Sequence, residues 1–119
     1  MSQTSDSILM LMRHTICSDD TSTDFDEDLI MFINSTFSKL HQLGAGPEEG
    51  FMIEGTGETW DDFSEDTKLV NLVKAYVQMN VRLVFDPPAT SFGQDALKEL
   101  IKEYEWRINV MVDPGEESS

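Results

Sequence analysis

The stretch from Thr67 to Phe85 limits the possible folds more than any other part of the chain. Leu69, Leu72, Val73, Tyr76, Val77, Asn80, Val81 and Val84 recur at helical spacing and define a buried side. Val70, Leu83 and Phe85 make the same helix apolar on more than one face. A helix of that kind is central in its fold or lies in a subunit interface. Asp86-Pro87-Pro88 ends it sharply, because the residue before a proline is driven out of the helical region. The expected fold class is therefore mainly α, a compact bundle of about four helices.

The neighbours are amphipathic. Residues 5–16 read as a first helix, with Ile8, Leu9, Leu11, Met12 and Ile16 as its stripe and Ser5 or Ser7 as its cap. A second helix starts at Asp24, an N-cap whose capping box is completed by Glu27, with Asp26 and Asp28 favoured in the first turn by the helix dipole. Phe25, Leu29, Ile33, Leu40 and Leu43 follow its buried side, Phe32, Thr36 and Phe37 widen it, and Gly44 stops it. The last helix begins near Ser91, with Gln94 completing a capping box. Phe92, Ala96, Leu97, Leu100, Ile101, Tyr104 and Ile108 form its apolar spacing, and Asp95 with Lys98, Glu99 with Lys102, and Glu103 with Arg107 pair along its surface.

Between the second and third major helices, residues 44–66 carry too many glycines, with Pro47, for a continuous helix. Phe51-Met52-Ile53 and Glu58-Thr59-Trp60 flank Gly55-Thr56-Gly57, a short irregular segment or a small hairpin. Trp60 and Phe63 are expected to anchor it on the helices. One helical domain over residues 1–112 is expected, followed by a flexible tail over residues 113–119 that opens on Asp113-Pro114-Gly115.

Charge narrows the partners. The chain has 23 acidic residues against 8 basic ones, a net charge of −15. Such a surface repels phosphate, which disfavours both sequence-independent nucleic-acid binding and anionic membranes. The acid is uneven: residues 19–28 hold six carboxylates and residues 58–66 five. Lys74, Arg82, Lys98, Lys102 and Arg107 place most of the base beyond Val73. Cys17 is the only cysteine, so no internal disulfide forms, in keeping with synthesis in a reducing compartment. The N-terminus is polar rather than basic and does not read as a signal peptide.

Chemistry is hard to find. His14 and Cys17 supply two potential zinc ligands where a structural site takes four. A calcium loop started at Asp20 puts Phe25 at its sixth position and Met31 at its twelfth, and one started at Asp24 puts Leu29 and Ser35 there, so neither register works. Gly44-Ala45-Gly46 lacks the Gly-Lys-Ser/Thr ending of a phosphate loop. No catalytic residue, cofactor or metal ligand is assigned, and the chain is expected to act by binding other proteins.

An ordered set of segments carries a resemblance. Leu43-Gly44-Ala45-Gly46-Pro47-Glu48-Glu49-Gly50-Phe51 precedes Glu58-Thr59-Trp60-Asp61-Asp62-Phe63. A Tyr-Val-x-x-x-Val-Arg-Leu run from Tyr76 to Leu83, Phe85-Asp86-Pro87-Pro88, and Glu103-Tyr104-Glu105-Trp106-Arg107-Ile108-Asn109-Val110 follow. Across residues 25–112 this order resembles the head–tail connector proteins of long-tailed bacteriophages, also called adaptor or head-completion proteins. The first helix matches least.

The resemblance implies a structural virion protein of the neck, assembled in the bacterial host cytoplasm. It implies a homo-oligomeric ring, commonly a dodecamer, between the portal protein and a stopper or other neck protein. DNA would pass through its channel without specific binding, and no membrane is involved. On this reading Trp106, Ile108, Val110, Met111 and Val112 contact the portal, and Arg82 and Arg107 pair between subunits. Asp24, Asp26, Asp61 and Asp62 would line the channel, where carboxylates repel phosphate and leave DNA mobile. The residues alone also fit an acidic regulator or inhibitor that mimics nucleic acid. Arg82 and Arg107, near the ends of the last two helices, suit pairing between subunits better than mimicry.

Overall fold

Helix α4, Thr67–Phe85, is the hub: α1 (Ile8–Ile16), α2 (Asp26–Gln42), α3 (Trp60–Phe63) and α5 (Ser91–Val112) all pack against it. The computed structural model describes residues 7–16 and 25–112. The tail at 113–119 and the segment 17–24, with Cys17 and Asp24, lie outside the described residues. Being apolar on more than one side, α4 takes the centre of the fold: Leu69, Val70, Val73, Tyr76, Val77 and Val81 are all buried. Its start is set by Asp66, whose carboxylate accepts from the Lys68 and Leu69 amides at 3.1 and 3.3 Å. Its end falls at Asp86, before the two prolines. Val84, expected on the buried side, is exposed instead. Phe85 takes the inward place, its ring edge-on to Phe32 at 5.8 Å.

The first helix starts at one of its two expected caps. Ser7 caps α1, its hydroxyl accepting from the Met10 amide at 3.3 Å. The N-cap position of α2 falls on Phe25, which makes no side-chain cap and is exposed rather than part of the stripe; the expected capping box rests on Asp24, outside the described residues. Asp26 is drawn sideways by Arg13, which grips it with two bonds, Nε to Oδ1 at 3.0 Å and Nη2 to Oδ2 at 2.6 Å. That two-point pair joins α1 to α2. At the other end Gly44 has φ +95, its amide reaches His41 O, and the Ala45 amide reaches Leu40 O at 2.9 Å. These two bonds satisfy the last carbonyls of α2 as a left-handed C-terminal cap.

The segment between α2 and α4 is an ordered turn, not a hairpin. The Glu58 carboxylate accepts from the Glu54 and Gly55 amides at 3.0 and 3.4 Å and closes the glycine turn on itself. Asn34 then fastens the segment to α2: its amide donates to Ile53 O at 3.0 Å and accepts from Ile53 N at 2.7 Å. Phe51, Trp60 and Phe63 gather around Phe37 at ring distances of 5.0, 6.3 and 5.3 Å, so both Trp60 and Phe63 anchor the segment as expected. Thr59 and Asp62 form a reciprocal capping box on α3.

The core also holds one phenol. Tyr76 is fully buried and its hydroxyl donates to Glu105 Oε2 at 2.8 Å. Burial, and then the bond to Glu105 and its charge, push the Tyr76 phenol well above its ordinary value. The folded chain therefore keeps this proton at a pH where the unfolded chain, with its pKa of about 10, releases it. Stability is full below about pH 10 and falls above it by up to about 1.4 kcal/mol per pH unit. Tyr76→Phe should remove that share of the slope. Urea titrations from pH 8 to 11 measure it, and parallel curves for the two proteins contradict the assignment.

Candidate functional site

Helix α5 is unlike the others in how little of it is buried. Over 22 residues only Ile101 and Ile108 are buried, with Leu97 and Tyr104 partly covered beside them. Its N-terminus is capped one residue earlier than expected, by Thr90, whose hydroxyl accepts from the Gly93 amide at 3.0 Å. The Gln94 side chain donates to Pro88 O instead of completing a box with Ser91. Phe92, expected on the apolar stripe, is 83% exposed, and Leu100 is exposed as well. Nine residues separate Phe92 from Ile101, which at 100° per residue is half a turn out of phase. The helix therefore carries apolar side chains on opposite faces: one meets α4, the other meets solvent.

The outward face holds Phe92, Trp106 and Val110. Trp106 is 67% exposed. Of the residues expected at a portal contact, Trp106 and Val110 are presented outward, and Met111 and Val112 are half-buried. Ile108 is fully buried, two residues and about 200° around the helix from Trp106, so it belongs to the core rather than to a docking face. The C-terminal end of α5 is held in place. Asn109 Nδ2 donates to Leu43 O at 3.2 Å, and a Cβ at Gly44 would stand 3.3 Å from Val112. Trp106 and Val110 thus sit on a tethered helix end, where little ordering remains to oppose binding.

The charged candidates separate into committed and free. Arg107 pairs with Glu103 at 2.8 Å and lies over the Tyr104 ring at 5.6 Å, and Glu99 pairs loosely with Lys102 at 3.8 Å. Arg82 is exposed, and among the described residues no carboxylate pairs with it. Asp26 is committed to Arg13 and Asp62 to the Thr59 cap, while Asp61 is exposed. These five carboxylate and guanidinium positions do not converge on one spot; the structure distributes them over α2, α3, α4 and α5.

A second surface lies outside the residues expected at a site. Met31 and Met52 stand exposed on either side of a groove of about 570 Å³ between α2 and the segment that Asn34 pins. Phe37 and Phe51 contribute to its lining, with His41 and Glu49 among its polar groups. Met31 falls off the buried stripe of α2, and that misfit was the available signal. Among the described residues no group of three or more His, Cys, Asp or Glu side chains could hold a metal ion, and no helix is long and apolar enough to cross a membrane.

A family model described as phage connector protein matches residues 8–115. No curated protein and no solved structure matches the chain.

Proposed function

The chain belongs to the phage connector protein family, and from that we propose that it forms an adaptor ring between the portal and the tail-proximal neck proteins. A structural role in the phage particle follows from the family itself. The finer reading, a ring lining the DNA channel, is supported above all by the outward-facing Trp106 and Val110 on the tethered end of α5. An exposed Trp held on a rigid helix is the kind of anchor that dominates protein–protein contacts. The portal is its partner here, and a stopper or other neck protein binds the opposite side of the ring.

The net charge of −15 fits the channel role. A ring of such chains repels the phosphate backbone and leaves passing DNA free to move. Asp61, exposed on α3, is the lining candidate that no internal bond occupies among the described residues, whereas Asp26 and Asp62 serve the fold. Arg82 is likewise the better inter-subunit candidate, since Arg107 is paired within its own helix.

Mass analysis of purified particles should find the chain at the stoichiometry of a neck ring, and negative-stain images of the protein mixed with its portal should show an added tier. Absence from particles together with no portal binding would sink this reading.

A further inference from the structure

We infer that the tip of the α4–α5 hairpin of one copy seats in the Met31–Met52 groove of the next, so that copies associate head to tail. The setting rests on the ring reading above; the contact itself is argued from two surfaces that each lack a partner. The first is the tip. Val84, 56% exposed in the last turn of α4, and Phe92 in the first turn of α5 flank the same turn, residues 86–90, so both stand at one end of the hairpin. Arg82, also in the last turn of α4, is exposed at the same end of the hairpin, about 200° around the helix from Val84.

The second surface is the groove. Methionine side chains adapt their shape and make favourable contacts with aromatic rings, so walls formed by Met31 and Met52 over Phe51 suit an incoming Phe92. The surrounding charge selects the occupant. Glu27 and Asp28 lie on the face of α2 that carries Met31, Glu49 lines the groove, and Glu48 adjoins it; Lys39 is the nearby lysine on α2. Two copies meeting groove to groove would set these carboxylates against each other. The tip is different: Arg82 and Lys98 balance Asp86 and Asp95, and Arg82 has no carboxylate of its own among the described residues. In a chain this acidic, a neutral apolar tip with a spare guanidinium is the surface that an acidic groove can accept.

Tip and groove share no residue, and α4 packs against both α2 and α5. The contact is therefore heterologous, the type that propagates from copy to copy and closes into a ring when the rotation permits. It also leaves Trp106 and Val110 free for a different partner.

Cysteine pairing tests this directly. In full-length protein carrying Cys17→Ser, Phe92→Cys together with Met52→Cys should give a ladder of disulfide-linked multimers on mild oxidation. Each single variant should give none beyond a dimer. The reaction is run at about 1 mM protein, where a contact with a Kd of about 1 mM is already substantially populated. Adding Arg82→Glu should cut the ladder several-fold at low salt, with the loss shrinking in about 1 M salt, where charges are screened beyond about 3 Å. No ladder, with maleimide showing both thiols reactive, overturns the contact. So does dimer formation by Phe92→Cys alone as fast as the ladder grows, because that marks a symmetric tip-to-tip interface. Mass analysis of particles separates the two proposals: a chain present in particles but giving no ladder refutes this contact and leaves the adaptor reading standing.

Discussion

Ile108→Ala should destabilise the domain by about 3 kcal/mol, within the range for emptying a fully buried isoleucine site, whereas Trp106→Ala should change stability by less than about 0.5 kcal/mol. The two residues sit one position apart from being neighbours, yet Ile108 is fully buried and Trp106 is 67% exposed. Binding should respond in the opposite sense. Trp106→Ala should weaken docking on the portal by about 2 kcal/mol, roughly thirtyfold in Kd, if the exposed indole is the anchor. Urea titrations measure the first effect and a portal-binding titration the second. Equal loss of stability in the two variants contradicts the burial pattern; full docking by Trp106→Ala refutes the assigned contact. A truncation from Trp106 onward cannot make this distinction, because it removes Ile108 with the docking face.

That contrast also shows what periodicity carries and what it leaves out. The bounds of α4 are legible because its signals are local: Asp66 sits where a cap is needed, and Pro87 forbids continuation. The central place of α4 follows from its having more than one apolar side. The start of α2 is less legible, because the partner of its first-turn carboxylate is distant. Arg13, thirteen residues upstream, takes Asp26, and the N-cap position falls on Phe25. On α5 the apolar residues fall on opposite faces, and spacing does not say which face meets α4. The phase difference between Phe92 and Ile101 was present in the sequence, but choosing the inward face required knowing where Tyr76 and Glu105 meet. The groove was further out of reach. It exists because residues 49–52 fold back along α2, and that depends on the Asn34 clamp to Ile53, nineteen residues away.

Gly46→Ala should cost about 3 kcal/mol, made of roughly 1–2 kcal/mol for a side chain forced into a left-handed backbone and about 1–3 kcal/mol for overpacking. Gly46 has φ +92, and a Cβ there would stand 2.6 Å from Phe63 Cε1 and 3.0 Å from its Cζ. Phe63 has little room to yield. It is buried and lies within ring contact of Phe37 at 5.3 Å and of Phe51 at 5.5 Å. Displacing it disturbs the aromatic cluster that holds the segment between α2 and α4, including one wall of the Met31–Met52 groove. Gly57 provides the matched control. Its φ is not positive and a Cβ there meets nothing within 4 Å. Gly57→Ala should therefore be neutral or stabilise by up to about 1 kcal/mol, through the lost freedom of the unfolded chain. Urea titrations of the two variants should differ in midpoint with the same slope. A Gly46→Ala protein as stable as Gly57→Ala would mean that the segment relaxes around the methyl group, and that the close packing of Gly46 on Phe63 does not hold the turn.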